Sequence, residues 1–303
     1  MKIDVDTLRG TREGVPRLVA ALREGQAGGS FYFSLGPDHT GRALKRVFRR
    51  GFLGKVRRTS VVEHYGIRTL LYGTVLPGPR IDLKGGAVMR AARDAGFEVG
   101  VHCHDHVLWQ DQVARADAVW TRREFGRALA AFEGVFGAAP RAHAAAGWQL
   151  NAQLLGLEQE AGLTYASDSR GTGPFWPTMG SVQGGCLQLP TTLPTLDELI
   201  GVDGMDAQAA AEEILRQSRA GLTDTHVFTL HAELEGQKLF PQFEFLLQRW
   251  REAGMILESM HDYHRRLNGA QIARHELVWG TIPGRSGTLA VQGAAVTEAG
   301  VLT

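Results

Sequence analysis

The sequence has no apolar run long enough to cross a membrane and no excess of charge of either sign. No stretch approaches the roughly 18 apolar residues that a membrane helix needs, and the N-terminus holds no apolar run typical of a signal peptide. The formal net charge of +1 excludes a uniformly basic nucleic-acid-binding protein but leaves a local basic patch open. We therefore expect a cytoplasmic protein whose contact with a membrane is at most peripheral.

Cysteine is also scarce. Cys103 and Cys186 lie far apart and form no Cys-x-x-Cys pair, which excludes a disulfide scaffold and indicates a reducing compartment. Hydrophobic residues make up 44% of the 303 residues, which is enough for one large core or two small ones.

The hydrophobic pattern alternates between strand and helix periods. Residues 1–7 follow a strand pattern, residues 11–24 a helix pattern and residues 31–35 a second strand pattern, and such a βαβ unit predicts a parallel sheet. The alternation continues without internal repeats, so we predict an α/β fold with one domain over residues 1–267. Residues 268–303 are rich in Gly, Ala and Thr, and this composition predicts an appended C-terminal tail that is at best partly ordered.

A histidine cluster follows the predicted strand at residues 97–101. His102 and His106 are four residues apart, so one helical turn would place both imidazoles on the same face, as two ligands of one metal ion. Core or surface histidines without a ligand role remain the alternative. The carboxyl end of a strand is where α/β sheets and barrels build their sites.

Other polar residues also lie on or after predicted strands. Asp4 and Asp6 share one face of the first strand, either as the solvated face of an edge strand or as carboxylates separated by a cation. Asp168 and Arg170 follow another strand, where a turn with a local ion pair is the simpler interpretation. His231 ends a late strand, where it can equally be a hydrogen-bonded structural histidine.

Hydrolysis of an amide at a metal ion needs three protein ligands, a base for the attacking water and an acid for the leaving nitrogen. The residues at the strand ends supply this number of groups. We predict Asp6, His102 and His106 as metal ligands, Asp4 as the base, His231 as the acid and Asp168 as the carboxylate that orients His231.

Residues 41–62 form a basic amphipathic segment, with eight Lys or Arg residues and no acidic residue. Such a segment can lie on an anionic membrane or pack its apolar face on its own domain. Nucleic-acid binding is a weaker alternative, because no known nucleic-acid-binding module accompanies the segment. The residues predicted to face substrate or membrane are Arg42, Lys45, Arg46, Arg49 and Arg50.

The acidic pair, the His-x-x-x-His motif and the late Leu230-His231 pair resemble the NodB-homology superfamily of polysaccharide deacetylases. Further motifs are similar to one subgroup, the 4-deoxy-4-formamido-L-arabinose-phosphoundecaprenol deformylases. These motifs are Asp4–Pro16, Ala144–Trp148, Ser167–Gly171, Leu193–Thr195, His231–Glu233 and Gly280–Arg285.

The resemblance implies a distorted (β/α) barrel and a single divalent metal ion, for which Zn, Co, Mn and Fe all suit two histidines and a carboxylate. It implies removal of formate from a polyprenyl-phosphate-linked formamido sugar at the cytoplasmic face of the inner membrane, a step of lipid A modification and polymyxin resistance. The partners would be this lipid and an anionic membrane surface, with no nucleic acid. The superfamily's arginine after the histidine motif is absent, so Arg170 is assigned to steady Asp4.

Three other functions remain open at this point. One is an amino-sugar N-deacetylase of the same superfamily, a second is a metal-independent cyclic amide hydrolase, and a third is a non-catalytic binder of lipid-linked sugars. A pure binder has no need of both an acid and a base, which argues against the third.

Overall fold

The computed structural model describes residues 1–43, 66–220 and 225–296. Strands and helices alternate along most of this length. The strands are β1 Lys2–Val5, β2 Ser30–Ser34, β3 Glu98–Cys103, β4 Ala142–His143, β5 Tyr165–Ala166, β6 Trp176–Met179, β7 Val182–Gln183, β8 Leu187–Gln188, β9 Thr229–His231, β10 Arg274–Gly280 and β11 Leu289–Ala295. The helices are α1 Val15–Glu24, α2 Ile81–Asp94, α3 His106–Gln112, α4 Ala118–Phe136, α5 Ala152–Glu160, α6 Leu196–Leu199, α7 Ala207–Ala220, α8 Phe240–Glu252 and α9 Met260–Arg266.

The main sheet is parallel, with the strand order β8-β5-β4-β3-β2-β1-β9. The sheet curls, because the segment after β8 meets β9 through a 2.7 Å hydrogen bond between the hydroxyls of Thr191 and Thr229. This half-barrel, surrounded by helices, confirms the predicted distorted (β/α) barrel. Its curvature brings the carboxyl ends of the strands together at one end of the half-barrel.

Strand β1 lies inside the sheet, between β2 and β9, and all of its residues are buried. The exposed acidic edge, one of the two interpretations of Asp4 and Asp6, is therefore wrong for this strand. Parallel strands that are covered on both faces exclude water from every side chain they carry. Any charged residue on β1 consequently needs a partner inside the protein.

The start of α1 is pressed against the loop that follows β9. A π-helical turn at Gly10–Gly14 precedes α1. A Cβ atom on Gly10 would lie 1.9 Å from the Glu233 carboxylate, and one on Gly14 would lie 2.0 Å from the Ala232 carbonyl oxygen. Both positions therefore exclude a side chain, and the close approach ties the loop after β1 to the loop after β9.

A second sheet, with the order β11-β10-β6-β7, includes about half of the described part of the predicted C-terminal tail. Strand β10 pairs in parallel with β6 and antiparallel with β11. Within the predicted tail of residues 268–303, the part described up to residue 296 packs against the domain, because Leu277, Leu289 and Ala290 are buried. The Gly-, Ala- and Thr-rich composition of this segment did not indicate β10 and β11, because these strands are recognised by their backbone pairing.

Candidate active site

Asp6, His102 and His106 meet at the carboxyl ends of β1 and β3. His102 Nε2 lies 3.2 Å from Asp6 Oδ1, and His106 Nε2 lies 3.4 Å from Asp6 Oδ2. His102 belongs to β3, whereas His106 begins α3, so a strand-to-helix turn and not a single helical face brings them together. The ligand atoms of all three residues lie within 4.8 Å of one another.

The surroundings of these three side chains orient them toward one point. The 2.6 Å contact of His102 Nδ1 with the Ala144 carbonyl oxygen leaves Nε2 to face Asp6. The Glu233 carboxylate accepts hydrogen bonds from the backbone N–H groups of Asp6 and Thr7 and fixes the turn after β1.

The charges at this point favour a cation. Burial alone would raise the pKa of the Asp6 carboxyl, but His106 and His102 hold that pKa well below its usual range. Asp6 Oδ1 is buried and accepts no hydrogen bond from the described residues. A carboxylate with one buried oxygen that accepts no hydrogen bond, together with two imidazoles, is a donor set that fits one divalent metal ion.

Asp4 is paired with a cation that sequence analysis overlooked. Lys2 is fully buried, and its Nζ lies 3.4 Å from Asp4 Oδ2 and donates to the Ser167 carbonyl oxygen at 2.9 Å. Burial lowers the pKa of Lys2, while Asp4 opposes that shift. Strand alternation already places Lys2 and Asp4 on the same face, which was the available signal; the burial of that face is a tertiary property.

Arg170 has different partners from the one predicted. Its guanidinium donates to Glu198 at 2.6 Å and to the Leu193 carbonyl oxygen at 2.9 Å. The assignment of Arg170 as the group that steadies Asp4 by contact is therefore wrong. Lys2 occupies that position because it lies on the same strand as Asp4, two residues away.

His231 lies beside Asp4, since the two residues are Cα partners in the pairing of β1 with β9. Burial lowers the pKa of His231, but Asp197, followed by Asp6, raises it overall to about 9. Burial likewise raises the pKa of Asp197, and His231 and Arg285 lower it below its usual range. Asp197 is therefore the main group that raises the pKa of His231. Sequence analysis missed it because Asp197 lies on the short helix α6, which has no strand pattern.

Asp168 does not contact His231 as predicted. It lies 2.9 Å from His143 Nδ1, and it accepts hydrogen bonds from the Ala145 N–H at 2.7 Å and from Gln188 at 2.9 Å. The reason is the strand order, because β5, which precedes Asp168, is adjacent to β4, whereas β9 lies at the other edge of the sheet. Asp168 instead holds the segment whose Ala144 carbonyl oxygen contacts His102.

His143, Glu158 and Asp168 form a second, fully buried cluster of possible metal ligands. Burial would lower the pKa of His143, but Asp168 and Glu158 raise it to about 10. Burial and the charge of Asp168 raise the pKa of Glu158. Burial would also raise the pKa of Asp168, but His143 is the main group that lowers it, to about 2. These shifts favour a neutral cluster in which His143 and Glu158 are protonated and Asp168 is ionised.

The predicted membrane-facing residues Lys45, Arg46, Arg49 and Arg50 lie outside the described residues. Arg42 is described, and its exposed guanidinium donates to the Gly73 carbonyl oxygen at 2.9 Å. Within the ranges that the structure describes, no helix is long and apolar enough to cross a membrane.

Two curated relatives resemble the chain over most of its length, although no protein-family model matches it. A Shewanella sediminis protein assigned as the 4-deoxy-4-formamido-L-arabinose-phosphoundecaprenol deformylase ArnD is 36% identical over 253 residues, or 83% of this chain and 81% of that protein. A Wigglesworthia glossinidia brevipalpis protein with the same assignment is 30% identical over 285 residues, or 93% of this chain and 98% of that protein. These two relatives confirm the resemblance that the short motifs carry.

The solved structures agree on the fold. A Mycobacterium smegmatis protein assigned as a polysaccharide deacetylase has a TM-score of 0.60 at 17% identity, with 92% of this chain and 95% of that chain covered. At this identity the likeness concerns the arrangement of strands and helices alone.

Proposed function

The chain belongs to the family of 4-deoxy-4-formamido-L-arabinose-phosphoundecaprenol deformylases and is a hydrolase of carbon–nitrogen amide bonds, and on this premise we propose that it removes the formyl group from the lipid-linked formamido sugar with the help of one divalent metal ion. One observation carries the proposal. Asp4, Asp6, His102, His106 and His231 come from three different strand ends and meet at one end of the barrel.

Asp6, His102 and His106 would hold the metal ion. Bound there, it would supply a Lewis acid for the formyl carbonyl and for the attacking water. The chain's own contribution is to aim three donors at one point and to keep the Asp6 carboxyl ionised, which the low pKa of Asp6 favours.

Asp4 is the general base in this proposal. Its Oδ2 faces Lys2, while its buried Oδ1 accepts no hydrogen bond from the described residues and is available for the proton of the attacking water. The Lys2 ammonium contacts only one of the two oxygens of Asp4, so the other oxygen is left for the attacking water.

His231 is the general acid. Its Nδ1 is buried without a hydrogen-bond partner among the described residues, and its raised pKa means that it carries a proton near neutral pH. Because His231 and Asp4 are partners across β1 and β9, a bound amide can receive a proton from one while the attacking water gives a proton to the other.

Formate release is the test of this function. Purified protein would be given a formamido-arabinose phosphodiester with a short prenyl chain, with and without chelator, and formate would be measured enzymatically. We expect formate release that chelator abolishes and that added Zn, Co, Mn or Fe restores, with Asp6→Asn as the inactive control. Acetate from the matching acetamido sugar, without formate, would favour the amino-sugar deacetylase, and turnover insensitive to chelator would contradict the metal-dependent mechanism.

We further propose that the enzyme acts at the cytoplasmic face of the inner membrane, where the basic segment holds it on anionic lipid. Replacing Arg46, Arg49 and Arg50 with Glu is expected to reduce binding to anionic vesicles, because each basic residue near such a surface contributes about 1 kcal/mol. Co-sedimentation with vesicles of anionic and of zwitterionic lipid measures this binding.

The control variant for vesicle binding reverses Arg23, Arg251 and Arg265, which are exposed on other elements. It makes the same change of net charge, so its binding should change much less. Equal losses for the two variants would show that net charge, and not this segment, attracts the membrane.

A further inference from the structure

The ring of Trp148 is surrounded by three cationic side chains. Its indole is almost fully buried and donates to Thr191. The Lys2 ammonium lies 5.2 Å from the ring centroid, and the guanidinium carbons of Arg170 and Arg285 lie 5.1 Å and 4.5 Å from it. Such contacts are individually favourable, but three cations around one ring require anions nearby.

The three cations do not have equal partners. Lys2 faces Asp4, whereas Arg170 and Arg285 share the single oxygen Oε1 of Glu198. Arg170 holds that oxygen at 2.6 Å, while Arg285 is 3.3 Å away. The other Glu198 oxygen already accepts the Thr195 backbone N–H. Asp197, the other carboxylate that Arg285 influences, also faces His231. The Arg285 guanidinium is therefore the least neutralised of the three cations.

Arg285 is also the most accessible of these cations. Its side chain is 21% exposed, compared with 8% for Arg170 and 0% for Lys2. It lies close enough to Asp197 to lower the pKa of that carboxyl together with His231. Arg285 thus lies between Glu198 and the Trp148 ring and keeps N–H donors of its planar guanidinium accessible to solvent.

The segment that carries Arg285 is fixed in this position. It is the loop between β10 and β11, and Gly284, with a φ of +81°, lies so close to Glu198 that a Cβ atom would be 1.8 Å from the Glu198 carbonyl oxygen. The Gln149 amide donates to the Thr288 carbonyl oxygen at 2.7 Å. The loop between β10 and β11 therefore holds this cation against Glu198 and the Trp148 ring.

We propose that Arg285 binds the phosphate of the substrate and so selects a phosphate-linked sugar over a neutral glycoside. This inference rests on the proposed function and adds a recognition residue to it. A guanidinium can form two parallel charge-assisted hydrogen bonds with a phosphate group. With the amide between Asp4 and His231, the sugar would extend toward Arg285 and the lipid would leave from the same end of the half-barrel.

Direct binding tests the proposal independently of turnover. The dissociation constants of the formamido-arabinose phosphodiester with a short prenyl chain and of the same prenyl chain joined to the sugar by a neutral ether would be measured by calorimetry, with metal-loaded protein. Because hydrogen bonds to charged groups contribute about 1.5–3 kcal/mol, the phosphodiester should bind roughly 10–150-fold more tightly to the natural protein. Arg285→Gln should remove most of this preference, and Arg285→Lys should retain part of it.

Arg122→Gln is the matched control, because Arg122 is an exposed arginine that is paired with Glu160 on the outer helices. It should leave the preference unchanged, and circular dichroism would verify that each variant is folded. A preference for the phosphodiester that persists in Arg285→Gln, or no preference in the natural protein, would overturn the proposal. Absence of formate release together with an Arg285-dependent preference would instead reject the proposed reaction while retaining the phosphate site.

Discussion

Asp4→Asn is expected to lower kcat by about two to four orders of magnitude, the usual contribution of a positioned general base or acid. The amide keeps the shape of the side chain and can still contact the buried surroundings, but it cannot accept the proton of the attacking water. Metal content should stay close to that of the natural protein, because Asp4 is not one of the three grouped ligands. Formate release and metal analysis on the same preparation measure both effects.

Three other variants separate the role of Asp4 from other causes of lost activity. Asp6→Asn should lose metal and activity together, whereas His231→Asn should lose activity and keep metal. Asp94→Asn, which changes an exposed aspartate on α2, should change neither. If Asp4→Asn keeps full activity, the base is another group, and if it loses metal, Asp4 is a ligand.

The residues nearest the proposed metal ion could be predicted because short sequence patterns identify them. His102 and His106 are recognisable by spacing, and Asp4 and Asp6 by their alternation at the start of an apolar strand. Each of these residues lies at or next to the carboxyl end of its strand in the structure. The βαβ pattern likewise predicts a parallel sheet, whose strand ends must gather along one edge.

The surrounding contacts could not be predicted because they depend on strand order and burial. The sequence does not state that β1 lies between β2 and β9, and this placement buries Lys2 beside Asp4 and sets His231 against the same residue. Asp168 follows β5 and Asp197 lies on α6, and the strand order places Asp168 beside β4 while Asp197 becomes the main group that raises the pKa of His231. A composition poor in large apolar residues also concealed β10 and β11, and with them the position of Arg285.

Substitution of His143, in the buried cluster with Glu158 and Asp168, should lower the stability of the protein more than the other variants proposed here. His143→Leu removes the cation and leaves Asp168 ionised in a fully buried position. Breaking a buried ion pair on one side costs about 3–5 kcal/mol, so the free energy of unfolding in urea should fall by about that amount. Glu158→Gln should cost far less, because the raised pKa of Glu158 favours its neutral form and an amide can keep its hydrogen bonds.

The difference in unfolding free energy between the natural protein and His143→Leu should depend on pH, and this dependence tests whether His143 is protonated. The pKa of His143 is raised from 6.5 in the unfolded chain to about 10 in the folded protein, so the native state holds a proton that the unfolded state releases between these values. Its contribution is complete below pH 6.5 and disappears as the pH rises through about 10. The gap in unfolding free energy between the natural protein and His143→Leu should therefore narrow across this range, as measured by urea titrations at several pH values.

A gap that stays constant with pH, or a Glu158→Gln variant as unstable as His143→Leu, would contradict the proton assignment. Metal analysis distinguishes the remaining alternative, because a cluster neutralised by its own protons leaves one metal ion per chain. A second equivalent of metal that His143→Leu removes would show that the cluster holds a metal ion.

The buried cluster also has a consequence for catalysis, because Asp168 holds the Ala145 N–H beside the carbonyl oxygen that orients His102. Loss of His143 should therefore weaken metal binding as well as folding, even though His143 is not one of the three residues grouped around Asp6.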